Sequence, residues 1–82
     1  MNKEKLLKRI TIDPHVLVGK PVIKGTRLSV QYILGLLSNG STMNEIIKEY
    51  NGLTKEDIMA CFFFASETLD KNTFLPLTKQ RA

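Results

Sequence analysis

The 82-residue sequence predicts a mainly α fold, in which a short N-terminal β-ribbon leads into three helices. Three observations carry this reading. Strand-like apolar segments occur only before residue 24. Beyond Ser29, apolar residues twice recur at i, i+3, i+4 and i+7, the one-face spacing of an amphipathic helix. Between these parts, residues 19–30 (GKPVIKGTRLSV) combine two glycines, a proline, three cations and a serine able to cap a helix. That composition suits a joint between an extended ribbon and a helical body.

In chain order, residues 1–9 form a basic arm, and Lys3 to Arg9, with leucines only at 6 and 7, reads as a frayed turn or a flexible arm. Ile10, Thr11 and Ile12 alternate as a half-buried strand does, until Asp13 and Pro14 interrupt them. Pro21, Val22 and Ile23 form the second extended piece, with a loop over residues 14–19 between them. An isolated two-stranded ribbon is marginal, so it must lie on the helices or pair with another chain. Ser29 caps a first helix whose inward face is Val30, Ile33, Leu34 and Leu37 and which stops at Asn39 and Gly40. Gly35 inside it disfavours helix and is expected to mark a close helix contact. Thr42 and Glu45 form a capping box for a second helix with Met43, Ile46, Ile47 and Tyr50 on one face, ended by Asn51 and Gly52. Leu53 points inward, and Thr54, with Asp57 three residues on, caps a third helix over residues 55–69. Glu56 and Asp57 suit the positive end of its dipole.

This third helix is apolar nearly all round. Ile58, Cys61, Phe62, Ala65 and Leu69 share one face, Met59, Phe63 and Ser66 a second, and Phe64 a third side. Two short helices and a ribbon can hardly cover it all, which points to a second molecule, a homodimer first. The expected partner interface is Met59, Phe63 and Phe64, with Phe74 and Leu75 of the tail over residues 71–82. That tail could instead fold back over the helix.

Charge is unevenly placed. Lys3, Lys5, Lys8 and Arg9 against Glu4 leave the first nine residues at +3, and Lys20, Lys24 and Arg27 against Asp13 leave residues 10–27 at +2. Residues 28–70 carry −4, the tail +3, and the whole chain +4. A polyanion such as DNA is therefore drawn to the arms and ribbon rather than to the helical body, although basic termini are also ordinary solvated tails. The candidate nucleic-acid contacts are Lys8, Arg9, Lys20, Lys24, Arg27 and Lys55. Arg27, at the mouth of the first helix, could fork onto a phosphate, or tie the joint to a carboxylate such as Asp13. The second role is favoured.

A single cysteine, Cys61, allows no internal disulfide, and with a single histidine, His15, there is no Cys/His zinc set. No nucleophile triad, paired-carboxylate site or phosphate loop appears, so no enzyme, cofactor or metal is expected. The longest apolar run, residues 58–65, is far short of a membrane span, and the charged start has no secretory apolar core. A cytoplasmic protein with no membrane partner is expected.

Three short helices with tight turns suggest a helix-turn-helix, with the second and third helices as the motif. The fit is partial. Lys48 stands where that motif usually has a small residue, and the third helix opens with Glu56 and Asp57, which would face phosphates. The segments I-x-I-D-P, G-K-P-V-I-K-G-T-R-L-S-V, N-G-S-T-M-N-E-I and E-Y-N-G-L-T-K-E-D-I closely resemble a small prokaryotic group catalogued as domain of unknown function 433, over about residues 10–69. Asn51 departs from the proline usual there, and Asn-Gly makes the turn by other means. The group is similar to VapB-type DNA-binding antitoxins, whose genes neighbour PIN-type ribonuclease toxins. The resemblance implies a homeodomain-like helix-turn-helix behind a β-ribbon, dimeric, over residues 10–70, and a non-enzymatic antitoxin that regulates its own operon and binds a PIN-type toxin. A protein–protein module with no nucleic-acid role is the alternative.

Overall fold

The structure, a computed structural model, describes residues 2–71. Its elements run α1 (Lys3–Leu7), β1 (Ile10–Ile12), a 3₁₀ turn (Leu17–Gly19), β2 (Pro21–Ile23), α2 (Val30–Ser38), α3 (Met43–Glu49) and α4 (Lys55–Lys71). The fold is mainly helical with a short antiparallel sheet at the front, as the sequence predicts.

The start of the chain is a capped helix rather than a frayed turn or a flexible arm. Asn2 Oδ1 accepts the Glu4 and Lys5 backbone N–H groups at 2.7 and 3.3 Å, so α1 is capped. Leu6 is buried and α1 packs along α4. The Lys3 ammonium stands 5.9 Å from the centre of the Phe63 ring, within cation–π range. Two leucines were too few to signal a helix by periodicity; the surface they pack on lies some fifty residues away.

In the ribbon Ile10 faces Ile23, Thr11 faces Val22 and Ile12 faces Pro21. The connecting loop is held by Asp13, whose Oδ1 accepts the His15 N–H at 2.9 Å and whose carbonyl accepts the Val16 N–H. Leu17, Val18 and Gly19 then take three consecutive positive φ values, 50°, 56° and 81°. A β-branched residue is strongly disfavoured there, yet Val18 is 93% exposed. After β2, the Thr26 N–H donates to the Ile23 carbonyl at 3.0 Å across a tight turn, and Gly25, at φ 81°, supplies the left-handed corner. Thr26 Oγ1 bonds the Ile23 carbonyl and the Leu28 N–H, at 2.7 and 3.0 Å. The chain thus doubles back beside β2, bridging Val22 to Ser29, and enters α2 directly.

The three later helices carry the expected caps. Ser29 Oγ accepts the Tyr32 N–H at 2.9 Å. The Gly40 and Ser41 N–H groups bond the Leu37 and Leu36 carbonyls, a Schellman ending that needs Gly40 at φ 101°. Thr42 and Glu45 form the reciprocal box at the start of α3. Gly35 does not mark a close contact, because a Cβ built there meets nothing within 4 Å.

The core gathers Ile23, Val30, Ile33, Ile46, Leu53, Ile58 and Cys61, one or two residues from each of β2, α2, α3, the α3–α4 turn and α4. Leu6, Val22 and Ala60 are buried outside that cluster. Both neighbours Val22 and Ile23 are buried, so β2 is covered on both faces. The sequence prediction that the ribbon must lie on the helices is met in this way.

Candidate nucleic-acid and partner surfaces

The candidate cations do not form one patch. Arg9 is taken out of it: its Nη1 lies 3.1 Å from Asp57 Oδ1. Asp57 is itself buried, and its other oxygen accepts the Thr54 N–H at 3.0 Å while the Asp57 N–H bonds Thr54 Oγ1. The Arg9 carbonyl also accepts the Lys24 N–H at 2.7 Å. Arg9 therefore buckles the ribbon to the start of α4 rather than reaching a phosphate. Asp57 thus caps α4 with Thr54, as the sequence predicts, and the pairing with Arg9 is what the structure adds.

Lys8, Lys20, Lys24, Arg27 and Lys55 are exposed. Lys20 and Arg27 line one open cleft of about 370 Å³ with Leu17, Val18, Ser29 and Tyr32. Among the described residues neither of the two has a carboxylate within ion-pair distance. The expected tie from Arg27 to Asp13 does not form; Asp13 Oδ1 instead accepts the His15 N–H of the loop. Lys24 rides the turn beside Arg9, and Lys8 caps α1. Lys55 stands apart, at the first turn of α4.

Sequence reasoning missed a tyrosine pair, one on α2 and one at the C-terminal cap of α3. The hydroxyls of Tyr32 and Tyr50 are 2.6 Å apart, and their rings meet edge to face at 6.1 Å and 85°. That contact pushes the Tyr50 hydroxyl up to about 12, mainly through the hydrogen bond it shares with Tyr32. The pair sits between the Lys20–Arg27 cleft and an open groove of about 600 Å³ bordered by Glu45, Lys48 and Glu49. No local signal in the sequence joins residues 18 apart.

The partner face of α4 is also redrawn. Phe62 and Leu69, grouped by spacing on one face with Ile58 and Cys61, are 44% and 63% exposed, whereas Ile58 and Cys61 are fully buried. Phe64 is half-buried against the core and leaves the interface set. Phe63 is half-buried beneath Lys3, and Met59 is 40% exposed. Phe74 and Leu75 lie outside the described residues. Cys61 is fully buried, and burial, then the nearby Asp57 charge, pushes its thiol up to about 12, so it packs rather than reacts. His15 is on the exposed loop, and among the described residues no group of His, Cys, Asp and Glu could hold a metal. No described helix is long and apolar enough to cross a membrane.

Comparison with known proteins agrees with this architecture. The family described as "Protein of unknown function (DUF433)" matches residues 10–65. The chain belongs to the DUF433 family. The crystal structure of a DUF433 member protein from Anabaena variabilis ATCC 29413 at 2.00 Å resolution resembles it with a TM-score of 0.73 and 28% sequence identity, over 83% of this chain and 67% of that one. No curated protein matches. The matched DUF433 region holds the ribbon, the cleft cations and most of α4, whereas α1 and Lys8 precede it.

Proposed function

We propose that this DUF433 protein is a non-enzymatic, antitoxin-like DNA-binding protein of the cytoplasm that acts as a homodimer and regulates its own operon. The observation that supports this best is the Lys20–Arg27 cleft. Two cations without carboxylate partners among the described residues converge on the ribbon side, where phosphate contact costs no existing ion pair. Lys24 and Lys8 extend the positive charge along the ribbon. The start of α4 plays little part in reading DNA, because Asp57 and Arg9 neutralise each other there and only Lys55 offers a cation. The likeness to VapB-type antitoxins adds a PIN-type toxin as the expected protein partner.

A gel shift on the promoter of its own operon tests the reading. Binding at low salt should weaken as salt rises, and the Lys20→Ala, Arg27→Ala double variant should flatten the log–log salt slope by about 2. Absence of binding at low salt overturns the DNA role. A second reading, an interaction module without nucleic acid, is favoured by the apolar exposed face of α4. Co-purification of a toxin from the adjacent gene, with no DNA affinity, would decide for it.

A further inference from the structure

The exposed side of α4 has an order of its own. Lys55, Met59, Phe62, Ser66 and Leu69 are all exposed, at successive spacings of four, three, four and three residues. That is a heptad seam, the pattern by which one helix packs along another. It lies across the helix from the buried Asp57 and Ala60 and beside Ile58, and none of its residues joins the core cluster. Ser66, the fourth of the five, is small enough to admit a larger side chain such as Met59 from a facing helix. The charges at its two ends are opposite, Lys55 at the N-terminal end and exposed Asp70 beside Leu69 at the C-terminal end.

We infer that this seam binds a second copy of the chain, with the two α4 helices antiparallel and Lys55 of each facing Asp70 of the other. The antiparallel arrangement follows from charge. A parallel pair would set Lys55 on Lys55 and Asp70 on Asp70, whereas the antiparallel pair converts both repulsions into attractions and opposes the helix dipoles. The two-fold symmetry makes the contact self-complementary and closed at two copies. The seam spans roughly 22 Å at 1.5 Å per residue, enough for two heptads of packing. This deepens the homodimer in the proposed function and is independent of DNA. A failed gel shift leaves it standing, and a monomer in sedimentation leaves the gel-shift result to be judged on its own.

Sedimentation equilibrium of the full chain is the test. The wild type should be a dimer, and Phe62→Glu should be monomeric with unchanged far-UV circular dichroism. Lys55→Glu and Asp70→Lys should each weaken the dimer about tenfold, and the double reversal should restore it. Because the reversals leave the apolar seam intact, they keep the test valid if Phe62→Glu fails to fold. A wild-type monomer overturns the proposal. A dimer indifferent to both single reversals, or not restored by the double, overturns the antiparallel arrangement.

Discussion

Arg9 Nη1 and Asp57 Oδ1 lie 3.1 Å apart and join two parts of the chain separated by 48 positions. Asp57 is at once the N-terminal cap partner of α4 and the anchor for the ribbon. Asp57→Ala should therefore cost about 2 kcal/mol, the sum of a lost cap and a lost charge-assisted hydrogen bond. Arg9→Ala should cost about 1 kcal/mol, because the arginine side chain is 42% exposed and screened by solvent. Urea unfolding of the two single variants and the double should show a positive coupling energy. Arg9→Ala should leave any DNA affinity nearly unchanged, in contrast to Lys20→Ala.

Gly35→Ala should raise stability by about 1 kcal/mol, since the helix there has a negative φ and open space where the methyl would stand. A thermal melt reads this directly. A lowered midpoint would show that something packs on α2 at that point.

Val18→Asn should also stabilise, by about 1 kcal/mol, because asparagine tolerates the left-handed region and the exposed valine surrenders almost no burial. The same variant should weaken DNA binding if the left-handed loop beside Lys20 and Arg27 is held strained for contact. A rise in stability with unaltered affinity would separate the loop from the cleft's function.

Alkaline pH should destabilise the fold. Cys61 rises from 9.0 to about 12 and Tyr50 from 10.0 to about 12 on folding. Both groups hold their protons in the folded chain after the unfolded chain has released them. Their contribution is complete below pH 9 and is lost as pH climbs to about 12. Urea midpoints against pH measure the loss. Tyr32→Phe should bring the Tyr50 phenolate absorbance midpoint back down toward its ordinary value; no movement would mean that the hydroxyl contact is not the cause.

Much of the architecture is legible along the chain because its signals are local. Capping residues bond backbone groups two or three positions away, Gly25 and Gly40 answer a turn's demand for positive φ, and the 3.6-residue period marks the buried stripes of α2 and α3. The candidate surfaces were less legible. α4 has more apolar residues than one face can hold, so periodicity alone could not choose between Phe62 and Phe64 for the core. The position of α1, and of the core beneath α4, made that choice.

The sequence by itself determined the ribbon, the starts of α2, α3 and α4, the inward positions of α2 and α3 and the separation of a basic front from an acidic body. Those follow from short-range sterics, hydrogen bonding and alternation, which act between near neighbours. Only the tertiary structure decided that Arg9 and Asp57 neutralise each other, that Lys20 and Arg27 share a cleft, that Tyr32 meets Tyr50, and which side of α4 remains bare. Each of those is a contact between residues distant in sequence, and its energy depends on how whole elements pack rather than on any neighbouring residue.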